Sequence, residues 1–445
     1  MGDSRDQRFG HLLRILGLAF GLAVVVGGVV GQGILRTPGI VAGAVPDPTW
    51  ILALWTLGGI LILIDACSLV ELGASIPRAG GPYALATRAY GAVGGTVVGW
   101  ADWIINTLVV AFVSVVFGEY LHRLGIGTAV PAWLLSTGLI AVCWAVNWTG
   151  TRISGASQTI LSAFKGLVLA ALVIALFLFG ETPAAAAIVA TPPIAPAVGA
   201  AALLIAMRAV VNTYGGWYAG VYFGEELVAP ERNIARSTFG GILLVTALYV
   251  AVNAALLHVL TPAEMAASEL PAADAAMRVF GSEAGTVMTI IALVSVAAIA
   301  NLFLMVVSRI GFAMARDGVL PKLLARTSKS GTPRTALTAC ALVAAGFAAS
   351  GSYGELLSVA VPLTVAIIGS MDLAAMIMRR KEPDLPRPFK MPLFPLPALA
   401  GLALNLALLA AMFVDDPLHT SMGIGAALVL GIGYALVRRT SAAQA

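Results

Sequence analysis

Two clusters of glycine and polar residues interrupt long apolar stretches of this 445-residue chain. The first reads GGVVGQGI over residues 27–34, and the second reads TYGGW over residues 213–217. Glycine weakens a helix, and an interrupted helix leaves free N–H groups on one side of the break and free carbonyls on the other. The N–H end suits a carboxylate and the carbonyl end suits an ammonium group. The clusters therefore predict a binding site made mainly of backbone atoms.

Close packing between helices is the alternative explanation for such glycines. Gly91, Gly95 and Gly99 are spaced four residues apart, which is typical of helices that pack closely in membranes. Residues 27–33 hold four glycines and one glutamine, which is more than packing requires. An interrupted helix is therefore the prediction for the first cluster.

Ionisable and amide side chains within apolar segments are a second group of candidates, because their burial is costly. Lys165 lies about 12 Å into its segment, as a coupling group or as a structural cation that reaches toward the interface. Asn106 and Asn301 either contact a bound substrate or join helices, at about 1 kcal/mol each. Arg208 either lines an outer vestibule, where it would favour acidic substrates, or pairs with a nearby carboxylate. Asp65 and Asp372 are candidate ion-pair partners or proton carriers, and Asp102 is a candidate structural carboxylate.

Membrane-spanning helices are the elements predicted to position these residues. The chain is 59% hydrophobic and only 11% charged, with a mean hydropathy of +0.94, which excludes a soluble protein. Apolar runs long enough to cross a hydrocarbon core of roughly 30 Å recur along the chain. The twelve predicted spans are residues 17–45, 50–74, 91–121, 131–148, 156–180, 198–225, 238–260, 284–313, 335–350, 353–378, 396–414 and 420–437.

The positions of the two interruptions, in the first and sixth spans, indicate five helices repeated as an inverted set of five. The predicted organisation is one transmembrane domain over residues 1–445, with helices 11 and 12 following the repeats. Its parts are a tail at 1–16, repeats at 17–180 and 198–378, helices at 396–437 and a tail at 438–445.

The distribution of positive charge predicts the orientation. Of the 26 Lys and Arg residues, only Arg123 and Arg278 fall in predicted outer loops. An excess of positive charge marks cytoplasmic loops, so both termini are predicted to be cytoplasmic in a multi-pass protein of the cell membrane.

Other classes of function find little support in the composition. Three scattered cysteines and four scattered histidines predict neither disulfides nor a metal site. A net charge of +4, which is explained by cytoplasmic loops, does not indicate nucleic acid. No convergent set of nucleophile, base and metal ligand predicts an enzyme, and no cofactor is expected.

The chain resembles the amino acid–polyamine–organocation transporters, which have the leucine-transporter fold. Any one of the matching motifs is weak, but six in the right order are specific. The matching segments are GQGILRTPG at residues 31–39, ELG at 71–73, PRAGGPY at 77–83, YGGW at 214–217 followed by EE at 225–226 and PERNI at 230–234, ARDGVLP at 315–321, and RPFK at 387–390.

The resemblance implies which residues hold the substrate. Backbone N–H groups around Gly31, Gln32 and Gly33, in the motif that ends at Ile34, would hold the carboxylate. Carbonyls near Val29 and from Asn212 to Gly215, including Thr213 and Tyr214, would hold the ammonium group. Asn212 stands where the family often has a bulky aromatic residue, so Tyr214 or Trp217 would take the gating role or the pocket would be more polar.

The resemblance also implies a secondary active transporter of amino acids that works by alternating access. Lys165 would occupy the place of the cation in sodium-coupled relatives, and the eighth span offers only the isolated hydroxyls of Ser295 and Ser308. Sodium-independent, proton-coupled transport is therefore expected, with the lipid bilayer, an amino acid and protons as partners. The alternatives are an amino acid exchanger, a polyamine or amine transporter, and a non-transporting sensor; the particular amino acid and the oligomeric state stay open.

Overall fold

The structure is a computed structural model that describes residues 11–182, 199–350 and 353–443. Of Gln32 and residues 435–443, it describes the backbone alone. The tail arginines Arg5 and Arg8 and the predicted start of the sixth span at residue 198 lie outside the described residues.

Over its described ranges the chain is all-α, as predicted, with only two isolated β-bridges. One 3₁₀ helix lies at Trp217–Tyr222, and another lies at Lys322–Ala325. The α-helices are α1 (Leu18–Val29), α2 (Gln32–Ala44), α3 (Pro48–Ser75), α4 (Pro82–Arg123), α5 (Ala132–Thr149), α6 (Thr151–Phe179), α7 (Ala200–Thr213), α8 (Pro230–Val259), α9 (Pro262–Ala267), α10 (Pro271–Phe280), α11 (Glu283–Arg316), α12 (Arg334–Ser350), α13 (Tyr353–Lys381), α14 (Leu396–Asp415) and α15 (Pro417–Ala443).

Eight of the described helices are long and apolar enough to cross a membrane. The pair α1 and α2 passes the same test together, with a bend of 45° between them. The protein is therefore a multi-span α-helical membrane protein. The count of twelve spans, the inverted repeat and the domain boundaries stay predictions.

Helix starts follow the local sequence. Pro48 opens α3, where its missing N–H costs nothing, and the side chain of Asp47 accepts a hydrogen bond of 2.9 Å from the N–H of Trp50. Proline also occupies the first turn of α4 and α8. Within α4, Gly91 has φ of 80°, so the helix is interrupted at the residue where the third span was predicted to begin.

The centre of the molecule is α11. Residues 298–315 of this helix are buried without interruption, on every face. A helix that is buried all around must be enclosed by other helices, and α4, α5, α6 and α12 pack against it. The broken pair α1 and α2 and the 3₁₀ helix after α7 also contact α11, which places both interruptions beside the core.

Candidate functional site

The first interruption lies between α1 and α2. The first helix ends at Val29, and Val30 and Gly31 have extended backbones before α2 begins at Gln32. The leading N–H groups of α2 have no partner within the helix. The predicted carboxylate-binding residues Gly31, Gln32, Gly33 and Ile34 therefore form the N-terminal end of α2, while the side chain of Gln32 lies outside the described part.

The second interruption follows α7. This helix ends at Thr213, and the chain then turns through Gly216, whose φ is 101°, into the 3₁₀ helix. A positive φ of this kind favours glycine, because a Cβ would collide with the backbone. The sixth span therefore changes direction at the TYGGW cluster found in the sequence.

The two interruptions touch through their glycines. A Cβ on Gly216 would lie 2.4 Å from the carbonyl oxygen of Gly28, and a Cβ on Gly28 would lie 2.8 Å from the carbonyl oxygen of Gly216. A Cβ on Gly33 would lie 2.9 Å from the side chain of Thr213. These contacts leave no room for larger residues, so the glycines allow the two broken spans to meet backbone to backbone.

Lys165 reaches the first interruption from α6. Its ammonium group donates hydrogen bonds of 2.7 Å to the carbonyl oxygens of Gly27 and of Val30, and the residue is 2% exposed. Both carbonyls belong to the end of α1, which carries the negative end of the helix dipole. The side chain of Lys165 therefore bridges two unwound carbonyls at the point where α1 ends.

Other side chains complete this set of carbonyl contacts. The hydroxyl of Tyr249 on α8 donates to the carbonyl oxygen of Val29 at 2.9 Å, and that of Ser295 on α11 donates to Val30 at 3.4 Å. Tyr249 also approaches the carbonyl of Thr213 at 3.5 Å, so one hydroxyl joins both interruptions. Tyr249 could not be singled out from the sequence, because a tyrosine in an apolar span is most often part of the core.

A cavity of about 390 Å³ lies next to the second interruption, between α2, α7, α13 and the junction of α14 and α15. Asn212 is exposed and lines it, together with Thr37 and Arg208. Arg208 forms an ion pair with Asp415 at the mouth. The position that is often aromatic in the family thus presents an amide to a cavity that could admit a polar solute.

Tyr214 and Trp217, the alternative gating residues, are both buried. The hydroxyl of Tyr214 donates to the carbonyl of Trp55 at 2.9 Å, and its ring lies 5.1 Å from that of Tyr249. Trp217 packs against Tyr218 with a ring separation of 5.8 Å. The two residues therefore pack in two separate groups of aromatic side chains.

Asn301 belongs to a hydrogen-bond network that joins three helices. It accepts a bond of 2.8 Å from Asn147 on α5 and donates one of 3.0 Å to Gln158 on α6. Both of its amide functions are thus occupied by protein groups, and the arrangement is that of a link between helices.

Asn106 lies beside Asp102, which is a buried carboxylate at the 3₁₀ helix. Asp102 accepts hydrogen bonds of 2.5 Å from the hydroxyl of Tyr222 and of 2.9 Å from the amide of Asn106. Its other oxygen and the amide oxygen of Asn106 have no partner. This cluster connects α4 to the 3₁₀ helix, and only the tertiary structure brings Tyr222 to Asp102.

A layer of ion pairs lies at the predicted cytoplasmic end. Arg309 on α11 binds Glu226 through two bonds of 2.8 and 3.0 Å, with side chains 1% and 0% exposed. Arg316 binds the neighbouring Glu225 at 2.6 and 3.0 Å. These pairs attach the segment after the 3₁₀ helix to α11.

The same layer continues through other helices. Glu71 on α3 pairs with Arg379 at 2.5 Å and with Arg387 at 3.3 Å. Asp317 accepts bonds from Arg78 at 3.1 Å and from the hydroxyl of Tyr83 at 3.2 Å. These ion pairs join the helices across one end of the bundle, opposite to the cavity at Asn212.

Nothing in the described residues groups three or more His, Cys, Asp or Glu side chains in a way that could hold a metal ion. The three cysteines, at 67, 143 and 340, are free and buried. The chemistry available at the interruptions is therefore that of backbone dipoles, hydroxyls, amides and one lysine.

Known proteins match nearly the whole chain. The family described as Amino acid permease matches residues 16–434. The chain is 28% identical to the Serine/threonine exchanger SteT of Bacillus subtilis (strain 168), over 95% of each chain. It is 28% identical to the Asc-type amino acid transporter 1 of Mus musculus, over 93% of this chain and 79% of that protein.

A third relative is the Large neutral amino acids transporter small subunit 2 of Mus musculus. It is 29% identical over 86% of this chain and 74% of that protein. The family match covers far more than half of the chain and includes both interruptions. The resemblance to the amino acid–polyamine–organocation transporters is confirmed, a transporter rather than an enzyme is indicated, and the chain belongs to the amino acid permease family.

Proposed function

We propose that this permease carries an amino acid across the membrane by alternating access, without sodium, in a proton-coupled cycle that uses Lys165. The observation that carries the proposal is the pair of 2.7 Å bonds from Lys165 to the carbonyls of Gly27 and Val30. An ammonium group at this point supplies the positive charge that a metal cation would otherwise supply to the same carbonyls.

The substrate site is proposed at the two interruptions. The N-terminal end of α2 at Gly31, Gln32 and Gly33 offers N–H groups and a positive dipole to the carboxylate. The carbonyls of Val29 and of residues 212–215 are the proposed acceptors for the ammonium group. Tyr249 already bonds the carbonyl of Val29, so the substrate would share that oxygen, which has two lone pairs.

Loss of a proton from Lys165 is the proposed basis of proton coupling. A neutral amine keeps two donors but loses the charge that holds the end of α1. The contact with Gly27 and Val30 would weaken, and the first interruption could change shape. Release and uptake of the proton would thereby be linked to opening and closing of the site.

Exchange is the second candidate, and the name of one relative favours it. The Serine/threonine exchanger SteT covers 95% of this chain. In an exchanger the empty carrier reorients slowly, and Lys165 would be a permanent structural cation. A small neutral amino acid such as serine or threonine is the substrate proposed on the same ground.

Location and orientation are also proposals. A multi-span permease of this family fits the plasma membrane, with both termini in the cytoplasm. The ion-pair layer would then face the cytoplasm and the cavity at Asn212 would face outward. An outward-open cavity above a closed layer is the arrangement in which a substrate would enter from outside.

Transport by the purified full chain in proteoliposomes tests these proposals. Uptake of labelled serine, threonine and other amino acids would be measured with and without an inward proton gradient, with and without sodium, and with amino acid preloaded. Uptake driven by protons alone would support symport, and uptake only into preloaded vesicles would support exchange. Strict dependence on sodium would contradict the role given to Lys165.

Lys165→Met and the exposed Lys322→Met form a matched pair of variants. Symport through Lys165 requires that Lys165→Met lose proton-driven uptake while Lys322→Met retains it. If Lys165→Met still concentrates substrate with a proton gradient, coupling resides elsewhere. Binding of substrate to each purified variant, measured by calorimetry, separates lost coupling from a lost site.

A further inference from the structure

Asp65 on α3 and Asp372 on α13 face each other inside the helix bundle. They are 5% and 0% exposed. The amide of Asn405 on α14 donates to Asp65 at 2.9 Å and to Asp372 at 3.4 Å. The two carboxyl groups also lie within hydrogen-bonding reach of one another.

Gly401, one turn before Asn405, allows this close approach. A Cβ on Gly401 would lie 2.8 and 2.9 Å from the two oxygens of Asp372 and 2.9 Å from an oxygen of Asp65. Those distances are too short for a real side chain. The backbone of α14 therefore covers both carboxyl groups and separates them from solvent and lipid.

No basic side chain in the described ranges forms an ion pair with either aspartate. Arg379 is seven residues further along α13, about 10 Å away along the helix axis, and it is held by Glu71. Two carboxylates so close together in a medium of low polarity cannot both be ionised without a cation.

One carboxyl oxygen of the pair, Oδ1 of Asp372, has no hydrogen-bond partner. The hydroxyl of Ser68, a fully buried residue on α3, faces Asp372. A buried carboxylate oxygen without a hydrogen bond is costly to leave unsatisfied. A proton at this place gives one oxygen a donor and removes one of the two charges.

We propose that Asp65 and Asp372 form a proton-binding site separate from Lys165, in which the two carboxyl groups hold one proton between them. With the proton, α3, α13 and α14 pack together; without it, two negative charges repel and α3 is pushed away from α13. The proton itself is inferred from the geometry alone, and its effect on transport rests on the proposed function.

The other groups that face the pair do not change the balance of charge. On α3 they are Cys67 and Glu71, on α4 the phenol of Tyr90, and on α13 Arg379. Glu71 forms ion pairs with both Arg379 and Arg387, so these arginines are held away from the two aspartates, and Tyr90 bonds the carbonyl of Ser370. From α14 the pair meets the uncharged amide of Asn405.

Infrared spectroscopy of the purified full chain tests the shared proton directly. A protonated carboxylic acid has a carbonyl stretching band that a carboxylate lacks. We expect this band at neutral pH in the wild type and its loss in Asp65→Asn and in Asp372→Asn, because a carboxylate beside two amides needs no proton. The exposed Asp384→Asn is the control and should keep the band.

Thermal unfolding against pH is the second measurement. If the folded protein binds a proton that the unfolded chain releases, stability falls as the pH rises. That slope should be present in the wild type and in Asp384→Asn and reduced in both site variants. A wild type without the infrared band, or a band and slope identical in all four proteins, would overturn the proposal.

Transport is measured separately on the same four proteins. Loss of uptake with the band intact would count against the proposed function and leave the proton site standing. If the wild type lacks the band but still takes up substrate, the proton site is contradicted and the proposed function stands. The two proposals can therefore fail independently.

Discussion

At the scale of single residues, the contact between Gly28 and Gly216 decides how closely the two broken spans approach. Gly216 must lack a side chain for two independent reasons. Its φ is 101°, and a Cβ would lie 2.4 Å from the carbonyl oxygen of Gly28. Gly28 must lack a side chain for the steric reason alone, because a Cβ there would lie 2.8 Å from the carbonyl oxygen of Gly216.

Gly216→Ala should therefore be more damaging than Gly28→Ala. The backbone conformation alone costs alanine about 1–2 kcal/mol, and the collision with Gly28 adds to it. We expect Gly216→Ala to lower the unfolding temperature and to abolish substrate binding, as measured by calorimetry and thermal scanning. Gly138→Ala is the control, because nothing lies within 4 Å of a Cβ at that helical position; an equal effect of the two changes would contradict the assigned contact.

At the scale of elements, the short helix α9 on the predicted outer side depends on its cap. Thr261 accepts from the N–H of Glu264 at 3.2 Å, and Glu264 accepts from the N–H of Thr261 at 2.7 Å. Arg278 on α10 binds the same glutamate. The helix covers the end of α2, where the carbonyl of Met265 would lie 2.6 Å from a Cβ on Gly39.

Arg278 also controls the charge of that cap. The hydrogen bond from Arg278 to Glu264, together with a second one from the N–H of Thr261, lowers the pKa of Glu264 from 4.5 to about 2. A carboxylate whose pKa is lower in the folded state stabilises the fold at pH above 4.5, and this contribution is lost as the pH falls toward 2. The pair is largely exposed, so the contribution is about 1 kcal/mol or less.

Arg278→Met should raise the pKa of Glu264 toward 4.5. The folded and unfolded pKa values would then be nearly equal, so the variant should lose less stability than the wild type as the pH falls from 4.5 toward 2. The difference in stability at neutral pH should stay within about 1 kcal/mol. Thermal unfolding over this acidic range, with Glu264→Gln as the reference without the carboxylate, provides the measurement. A parallel pH profile in wild type and Arg278→Met would show that the arginine does not act on this group.

The segment between the 3₁₀ helix and α8 offers a comparison of two adjacent ion pairs. Glu226→Gln leaves the guanidinium of Arg309 buried without its counter-charge, which costs about 3–5 kcal/mol. Glu225→Gln affects a pair whose side chains are 21% and 20% exposed, and should cost about 1 kcal/mol or less. Unfolding temperatures of the two variants test this order, and a smaller loss for Glu226→Gln would contradict the burial of that pair.

At the scale of the whole molecule, one end of the bundle is closed and the other holds a cavity. The ion-pair layer and the backbone pairing of Leu16 with Leu227 close the predicted cytoplasmic end. Asn212 and Thr37 line the cavity toward the opposite end. The protein should exchange between this state and one that is open at the ion-pair end instead. The equilibrium between the two states should depend on how many of these closing contacts are present.

Asn212→Cys should therefore be labelled rapidly by a thiol reagent that cannot cross the membrane. The native cysteines are buried and give little background. Adding Asp317→Asn removes the charge partner of Arg78 and one acceptor of Tyr83. A loss of about 1 kcal/mol corresponds to about a fivefold change in the equilibrium, and labelling should slow by up to that factor. Asp384→Asn is the control, and unchanged labelling with Asp317→Asn would exclude a closing role for this pair.

The sequence by itself determined the class of the protein and the location of the two interruptions. Apolar runs of spanning length must form helices in lipid, because each backbone polar group needs an internal partner. The breaks at Gly31 and Gly216 were predictable because glycine has a local effect on the backbone. The family motifs are local as well, and the family match confirmed the resemblance that they indicated.

The tertiary structure alone decided which distant side chains meet. Lys165 lies 135 positions from Val30, Asp65 lies 340 positions from Asn405, and Tyr249 reaches Val29 from 220 positions away. A periodic pattern shows that a face is buried but not what covers it, so the sequence could not pair Asp65 with Asp372. The partner of a buried polar group is set by the packing of whole helices, which depends on contacts along their full length.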